Sequence, residues 1–83
     1  MESKIQANIK ARFERAGWMV VKLLQTNCNG IPDLMCLKNG KTIFIEVKQP
    51  GRDATELQKY RHAELISQGF SVHVITSEND III

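Results

Sequence analysis

No stretch of this chain approaches the ~18 consecutive apolar residues that a membrane span needs, and its start lacks the basic-then-apolar pattern of a secretory signal. Membrane attachment and export are therefore not expected. Cysteine is scarce: Cys28 and Cys36 are the only two, and they lack CxxC spacing. Free thiols in a reducing interior are expected, with the cytoplasm as the default compartment. His62 and His73 stand apart without cysteine-rich surroundings, which argues against a zinc site. Repeats, linkers and low-complexity segments are missing as well. Charge of one sign is weak, a formal +2, and does not by itself argue for nucleic acid. Apolar residues make up 43% and charged residues 24%, the balance of an ordinary globular protein. At 83 residues the chain is expected to form one domain, 1–83, with a modest core.

The strongest local signal lies between residues 30 and 48. Two apolar, β-branched runs flank Asn39-Gly40, the pair most typical of a two-residue hairpin with a type I′ turn. With that turn, Lys38 faces Lys41, Leu37 faces Thr42, Met35 faces Phe44 and Asp33 faces Glu46. The two acids then share one face, and Lys48, two residues past Glu46, projects to the same side. A one-residue bulge would send one acid to the other face. The opposite face would carry Leu34, Cys36, Ile43, Ile45 and Val47, an apolar set that must pack on a helix.

Directly opposed residues have Cβ atoms about 4.5–5.5 Å apart, where like charges are destabilising. Such an acid pair needs a compensating cation, either Lys48 or a bound divalent metal. Mg²⁺ takes carboxylate oxygens at about 2.0–2.1 Å and keeps waters and room for a substrate phosphate. Asp33, Glu46 and Lys48 on one sheet face therefore suit phosphodiester cleavage.

Taken in order, residues 2–16 read as a helix with Ile5, Ile9, Phe13 and Ala16 on one stripe, stopped by Gly17. Glu2 falls on the stripe side of the first turn. From spacing alone it complements the helix dipole or precedes a Ser3…Gln6 capping box. Glu14 points away from the stripe into solvent. Residues 18–24 read as a strand covered on both faces. The polar loop 25–30 leads to Asp33 as a lip of the site, where Asn27 and Asn29 are either turn residues or phosphate contacts. Cys36 is a small core residue. Residues 49–53 end the third strand with breaker chemistry.

Thr55-x-x-Gln58 opens a second helix that runs to about Gln68. Its capping-box pattern would fold Gln58 back on Thr55. Leu57, Tyr60, Ala63, Ile66 and Phe70 form the expected buried stripe, leaving Lys59, Arg61 and His62 near the exposed side, solvated or touching phosphates. Residues 71–76 read as a strand with His73 partly buried. The Ile81-Ile82-Ile83 tail is either a short edge strand or an exposed patch that wants a partner. The expected fold class is α/β, in the order α-β-β-β-α-β, with a central mixed sheet flanked by helices and a right-handed crossover between the third and fourth strands.

Pro32-Asp33 followed after a hairpin by Glu46-Val47-Lys48 resembles the PD-(D/E)XK motif of the restriction-endonuclease-like nucleases. Glu2 ahead of an amphipathic helix, Gly30-Ile31-Pro32-Asp33, Ile45-Glu46-Val47-Lys48 and Gln58 at the next helix start together resemble its VRR-NUC branch, the virus-type replication-repair nuclease module. The match runs over nearly the whole chain in the right order.

That resemblance implies a restriction-endonuclease-like core and metal-dependent hydrolysis of DNA. It implies one or two Mg²⁺ or Mn²⁺ ions on Asp33, Glu46 and the Val47 backbone carbonyl, with Glu2 completing the cluster directly or through water. Lys48 would orient the attacking water or offset developing charge, and Gln58 would line the site. No small-molecule cofactor is implied. Stand-alone modules of this branch look like structure-selective or Holliday-junction endonucleases. The apolar tail, Trp18 and Met19 point the same way, to a homodimer placing two sites on a symmetric branched substrate. A phage or mobile-element source, acting in the host cytoplasm, would suit such a module. Two rivals belong to other classes: an inactive DNA-binding or assembly subunit on the same fold, and a metal-binding module acting on protein partners.

Overall fold

The structure, a computed structural model, describes residues 2–81; the Glu2 side chain and residues 1, 82 and 83 lie outside the described residues. The expectations for the Glu2 carboxylate, Ile82 and Ile83 therefore fall outside it too. The elements are α1 (Glu2–Arg15), β1 (Met19–Lys22), β2 (Leu34–Lys38), β3 (Lys41–Val47), α2 (Glu56–Ser67), β4 (Ser71–Ile75) and a closing 3₁₀ turn, Glu78–Asp80. This is the expected α-β-β-β-α-β order. The four strands form one sheet in the order β1-β2-β3-β4, antiparallel through β3 and parallel between β3 and β4. Residues 48–70, with α2 between their ends, return the chain to the starting side for that parallel pairing.

The stripe on α1 supplies the core. Ile9 and Phe13 are fully buried against Leu34, Cys36, Ile45, Val47, Ile75 and Ile81, with Ile5, Trp18, Val20 and Ile43 packed around them. The expected apolar face of the hairpin is thus the one that meets α1. Ser3 already lies inside α1, so it is not the capping residue. Glu14 is exposed and pairs with Lys10 one turn earlier, 2.9 Å apart. Gly17 takes a φ of +93° just past the helix, a conformation that Cβ-bearing residues avoid. Lys38, from the hairpin, donates its Nζ to the Ala16 carbonyl at 2.7 Å, satisfying one of the acceptors left open at the helix end.

Four expectations need correction. The strand at 18–24 is only Met19–Lys22 and is not covered on both faces, since Met19 is 65% and Leu24 84% exposed. It is the outer strand beside β2, whereas α2 packs on β4 at the far edge of the sheet. Trp18 is no surface anchor, because it meets Phe13 edge to face at 5.7 Å. His73 is exposed, because β4 is the other edge strand. The largest departure is in α2, whose apolar stripe faces solvent: Leu57, Tyr60 and Ile66 are 49%, 60% and 56% exposed, and Phe70 after the helix is 40% exposed. The residue that α2 buries is His62.

Candidate active site

The hairpin register is the expected one, with Lys38 opposite Lys41, Leu37 opposite Thr42, Cys36 opposite Ile43, Met35 opposite Phe44 and Leu34 opposite Ile45. Asn39 and Gly40 both have positive φ, 51° and 77°, which is what a type I′ turn demands. The turn adds no extra residue, so the ladder reaches Leu34 without a bulge. Asp33 stands one step before β2. There its Oδ2 accepts a 2.9 Å hydrogen bond from the Val47 N–H, which ties its carboxylate to the end of β3. Its own carbonyl accepts from the Leu23 N–H at 2.8 Å, holding the same residue from the β1 side.

The Val47 bond also orients a carbonyl. A strand residue sends its N–H and C=O from the same edge, so the Val47 carbonyl leaves β3 on the side of Asp33. Glu46, one residue earlier, projects to the α2 face and is 1% exposed.

Two side chains of α2 meet that carboxylate. Gln58 Nε2 donates to Glu46 Oε2 at 3.4 Å, and His62 Nε2 stands 3.2 Å from Oε1. The two lie four residues apart, hence on one face of the helix. Gln58 also completes the capping box: its Oε1 accepts from the Thr55 N–H at 2.8 Å, while its own N–H donates to Thr55 Oγ1 at 3.2 Å. The capping reading of Gln58 holds, and the same amide also reaches Glu46. One end of the amide fixes the helix start and the other reaches Glu46.

Burial lowers the pKa of His62 below its usual value, helped by the Lys48 ammonium and opposed by the Asp33 carboxylate. Against an ionised Glu46 the nitrogen facing it must carry a proton, since a carboxylate can only accept. The placement of His62 near the exposed side is thus overturned. Its signal was the spacing Gln58-x-x-x-His62, which puts a second polar group on the face that Gln58 turns to the sheet.

The loop before Asp33 is docked on α2. Arg61 Nε donates to the Asn29 carbonyl at 2.9 Å, so Asn29 acts here through its backbone. Gly30 has φ +85°, and a Cβ there would stand 2.9 Å from the Leu57 carbonyl oxygen. Only glycine allows this approach. Cys36 is buried, and burial pushes its thiol up to about 11, so it is inert as a nucleophile. Cys28 is also a free thiol.

The donors gathered here are carboxylate and carbonyl oxygens, the hard ligands that suit Mg²⁺ or Mn²⁺. Each carboxylate oxygen has two lone-pair directions, so the hydrogen bond from Val47 leaves Asp33 able to ligate. Among the described residues, no three His, Cys, Asp or Glu side chains form a ready-made metal cluster. Mg²⁺ commonly needs only one or two carboxylates, the remainder being water and substrate phosphate.

A small mixed sheet between helices, with Pro-Asp leading into a hairpin and Glu-x-Lys leaving it, defines a domain of the PD-(D/E)XK nuclease class. Comparison with known proteins narrows this. Residues 1–79 match the VRR-NUC domain family. A phage protein, "Putative nuclease p44" of Acyrthosiphon pisum secondary endosymbiont phage 1, is 34% identical over 79 residues, covering 94% of this chain and 85% of its own. A solved VRR-NUC domain superimposes with a TM-score of 0.85 at 32% identity, over 94% of this chain and 86% of that one. The chain belongs to the VRR-NUC family of nuclease domains. Among the described residues, no helix is long and apolar enough to cross a membrane.

Proposed function

We propose that this protein is a Mg²⁺- or Mn²⁺-dependent DNA endonuclease that works as a homodimer on branched DNA of the Holliday-junction type. The observation that carries the reading is Glu46, a carboxylate 1% exposed on the strand whose next N–H holds Asp33 at 2.9 Å. Asp33, Glu46 and the Val47 carbonyl would hold the metal, with Glu2 as a further ligand. When bound, the ion supplies Lewis acidity and a water of lowered pKa.

The chain's own residues do the rest. Gln58 and His62 fix the rotamer of Glu46, so its oxygens are set before substrate arrives. Lys48 acts from the same strand face, its charge felt at both His62 and Asp53. It holds the attacking water or offsets charge developing on the phosphorus oxygens. Water adds at phosphorus as one P–O bond breaks, and the leaving oxygen takes up a proton.

Dimerisation is supported by the exposed apolar side of α2 and β4, where Leu57, Tyr60, Ile66, Phe70 and Val74 are each between 40% and 60% exposed. Large apolar side chains left this exposed favour burial against a partner. Two copies related by a two-fold axis would present two sites to the two strands of a symmetric junction.

The test is cleavage of a labelled four-way junction and of a linear duplex of the same sequence, with Mg²⁺ or EDTA. Nicking of the junction in preference to the duplex, lost in EDTA and in Asp33→Ala, Glu46→Ala and Lys48→Ala, is expected. Cutting by Glu46→Ala at the wild-type rate would overturn the assignment. Sedimentation should show a dimer at micromolar concentration, converted to monomer by Ile66→Glu; a wild-type monomer would remove the two-site geometry.

A further inference from the structure

Just beyond Lys48 the chain makes a fixed turn. Arg52 N–H donates to the Gln49 carbonyl at 3.0 Å, Pro50 occupies the second position and Gly51 the third, with φ +84°. This is the pattern of a type II turn. After it, Ala54 is buried at 7% exposure, and Thr55 is bound as the N-cap of α2. The segment is therefore pinned at both ends, and Arg52 projects from a defined place.

Between this turn and β3 lies a cleft of about 280 Å³ lined by Lys48, Gln49, Arg52, Asp53 and Thr55. Its charge balance is positive. Asp53 is already engaged, Oδ1 by the Ala54 N–H at 2.8 Å and Oδ2 by Lys59 at 3.2 Å. Lys48 and Arg52 make no ion pair among the described residues. Two cations thus face a polar hollow whose lone acid is neutralised from outside it. Lys48 belongs to both neighbourhoods, since its charge reaches His62 on one side and Asp53 on the other. Along an extended strand, Lys48 lies about 6.6 Å beyond Glu46.

We infer that this cleft is a phosphate subsite, in which the Arg52 guanidinium grips the DNA backbone phosphate next to the one cleaved at Asp33 and Glu46. This rests on the nuclease reading and adds to it the track of the substrate strand. A guanidinium offers paired N–H donors to two phosphate oxygens. Holding the neighbouring phosphate fixes the register of the strand over the acids without reading its sequence.

The test measures binding, in EDTA, of a fluorescein-labelled four-way junction to the wild-type chain, Arg52→Gln, Arg52→Lys and Arg15→Gln across a series of NaCl concentrations. Each phosphate contact contributes about 0.9 to the slope of log affinity against log salt. Arg52→Gln is expected to lower the slope by about 0.9 for each protomer engaged, so by about two for a dimer on one junction, and to weaken low-salt binding by about three- to tenfold per contact. Arg52→Lys should restore the slope, while Arg15→Gln on α1 should leave it unchanged. Melting curves keep the comparison to folded chains, and Arg52 is an exposed loop residue whose loss the fold tolerates. An Arg52→Gln slope and affinity equal to wild type would overturn the subsite while leaving the nuclease reading intact. Absence of salt-dependent binding by the wild-type chain would instead overturn the DNA-acting reading, and the subsite with it.

Discussion

Replacing His62 by Phe separates the support of Glu46 from its own chemistry. His62 is 8% exposed, and phenylalanine is of similar size, so the site stays filled while the donor 3.2 Å from Glu46 Oε1 is lost. Hydrogen-bonding partners of a metal-binding carboxylate typically carry roughly 10–100-fold in affinity or activity, or about 1.4–2.8 kcal/mol at 1.4 kcal/mol per tenfold. The expected result is that Mn²⁺ titrated calorimetrically into His62→Phe, without DNA, binds about 10–100-fold more weakly than to wild type. His62→Gln, which keeps an N–H donor on the same turn of α2, should recover part of the loss. Melting in the absence of metal separates this from unfolding. A folded His62→Phe chain that binds Mn²⁺ as wild type does would refute the idea that α2 orients Glu46.

Gly30→Ala should destabilise the chain by at least about 1 kcal/mol, because it combines a φ of +85° with a Cβ 2.9 Å from backbone; urea denaturation gives the value. Phe13→Ala removes the aromatic anchor of α1 and should cost about 3–5 kcal/mol, measured the same way. With Ellman's reagent at pH 8, half-buried Cys28 should react and Cys36 should stay protected until denaturant is added, since its thiol sits at about 11. Asp53 is held below its ordinary value of 3.8 by the Ala54 N–H and by Lys59. Its small contribution is therefore present above that value and lost as pH falls through the folded one. Asp53→Asn should flatten the acid limb of the stability curve, and an unchanged limb would contradict this.

The sheet was legible because its signals are local and agree with each other. Asn39-Gly40 sets the turn, and the turn sets every pairing through Leu34 and Ile45. The spacings of four, four and three along Ile5, Ile9, Phe13 and Ala16 likewise gave the α1 face. α2 was misread because an apolar stripe is assumed to point inward. Here the inward face carries Gln58 and His62, since β3 puts a buried carboxylate beneath the helix and polar partners satisfy it. Hydrophobic periodicity carries no information about which face meets a buried acid. β1 was read as covered on both sides for a related reason. An apolar run does not tell whether it lies at the centre or the edge of a sheet, and that depends on where the other strands pair. Register alone puts Asp33 opposite Glu46, but the ladder ends one pair earlier, at Leu34 and Ile45, and Asp33 there accepts from the Val47 N–H.

The central claim is that Asp33 and Glu46 together hold a divalent ion. A crystal soaked in Mn²⁺, with data collected near the manganese edge, tests it most directly. An anomalous peak in contact with oxygens of both carboxylates, lost in a Glu46→Gln crystal, is the expected result. A crystal showing Mn²⁺ elsewhere, or at neither acid under saturating soak, would contradict the account.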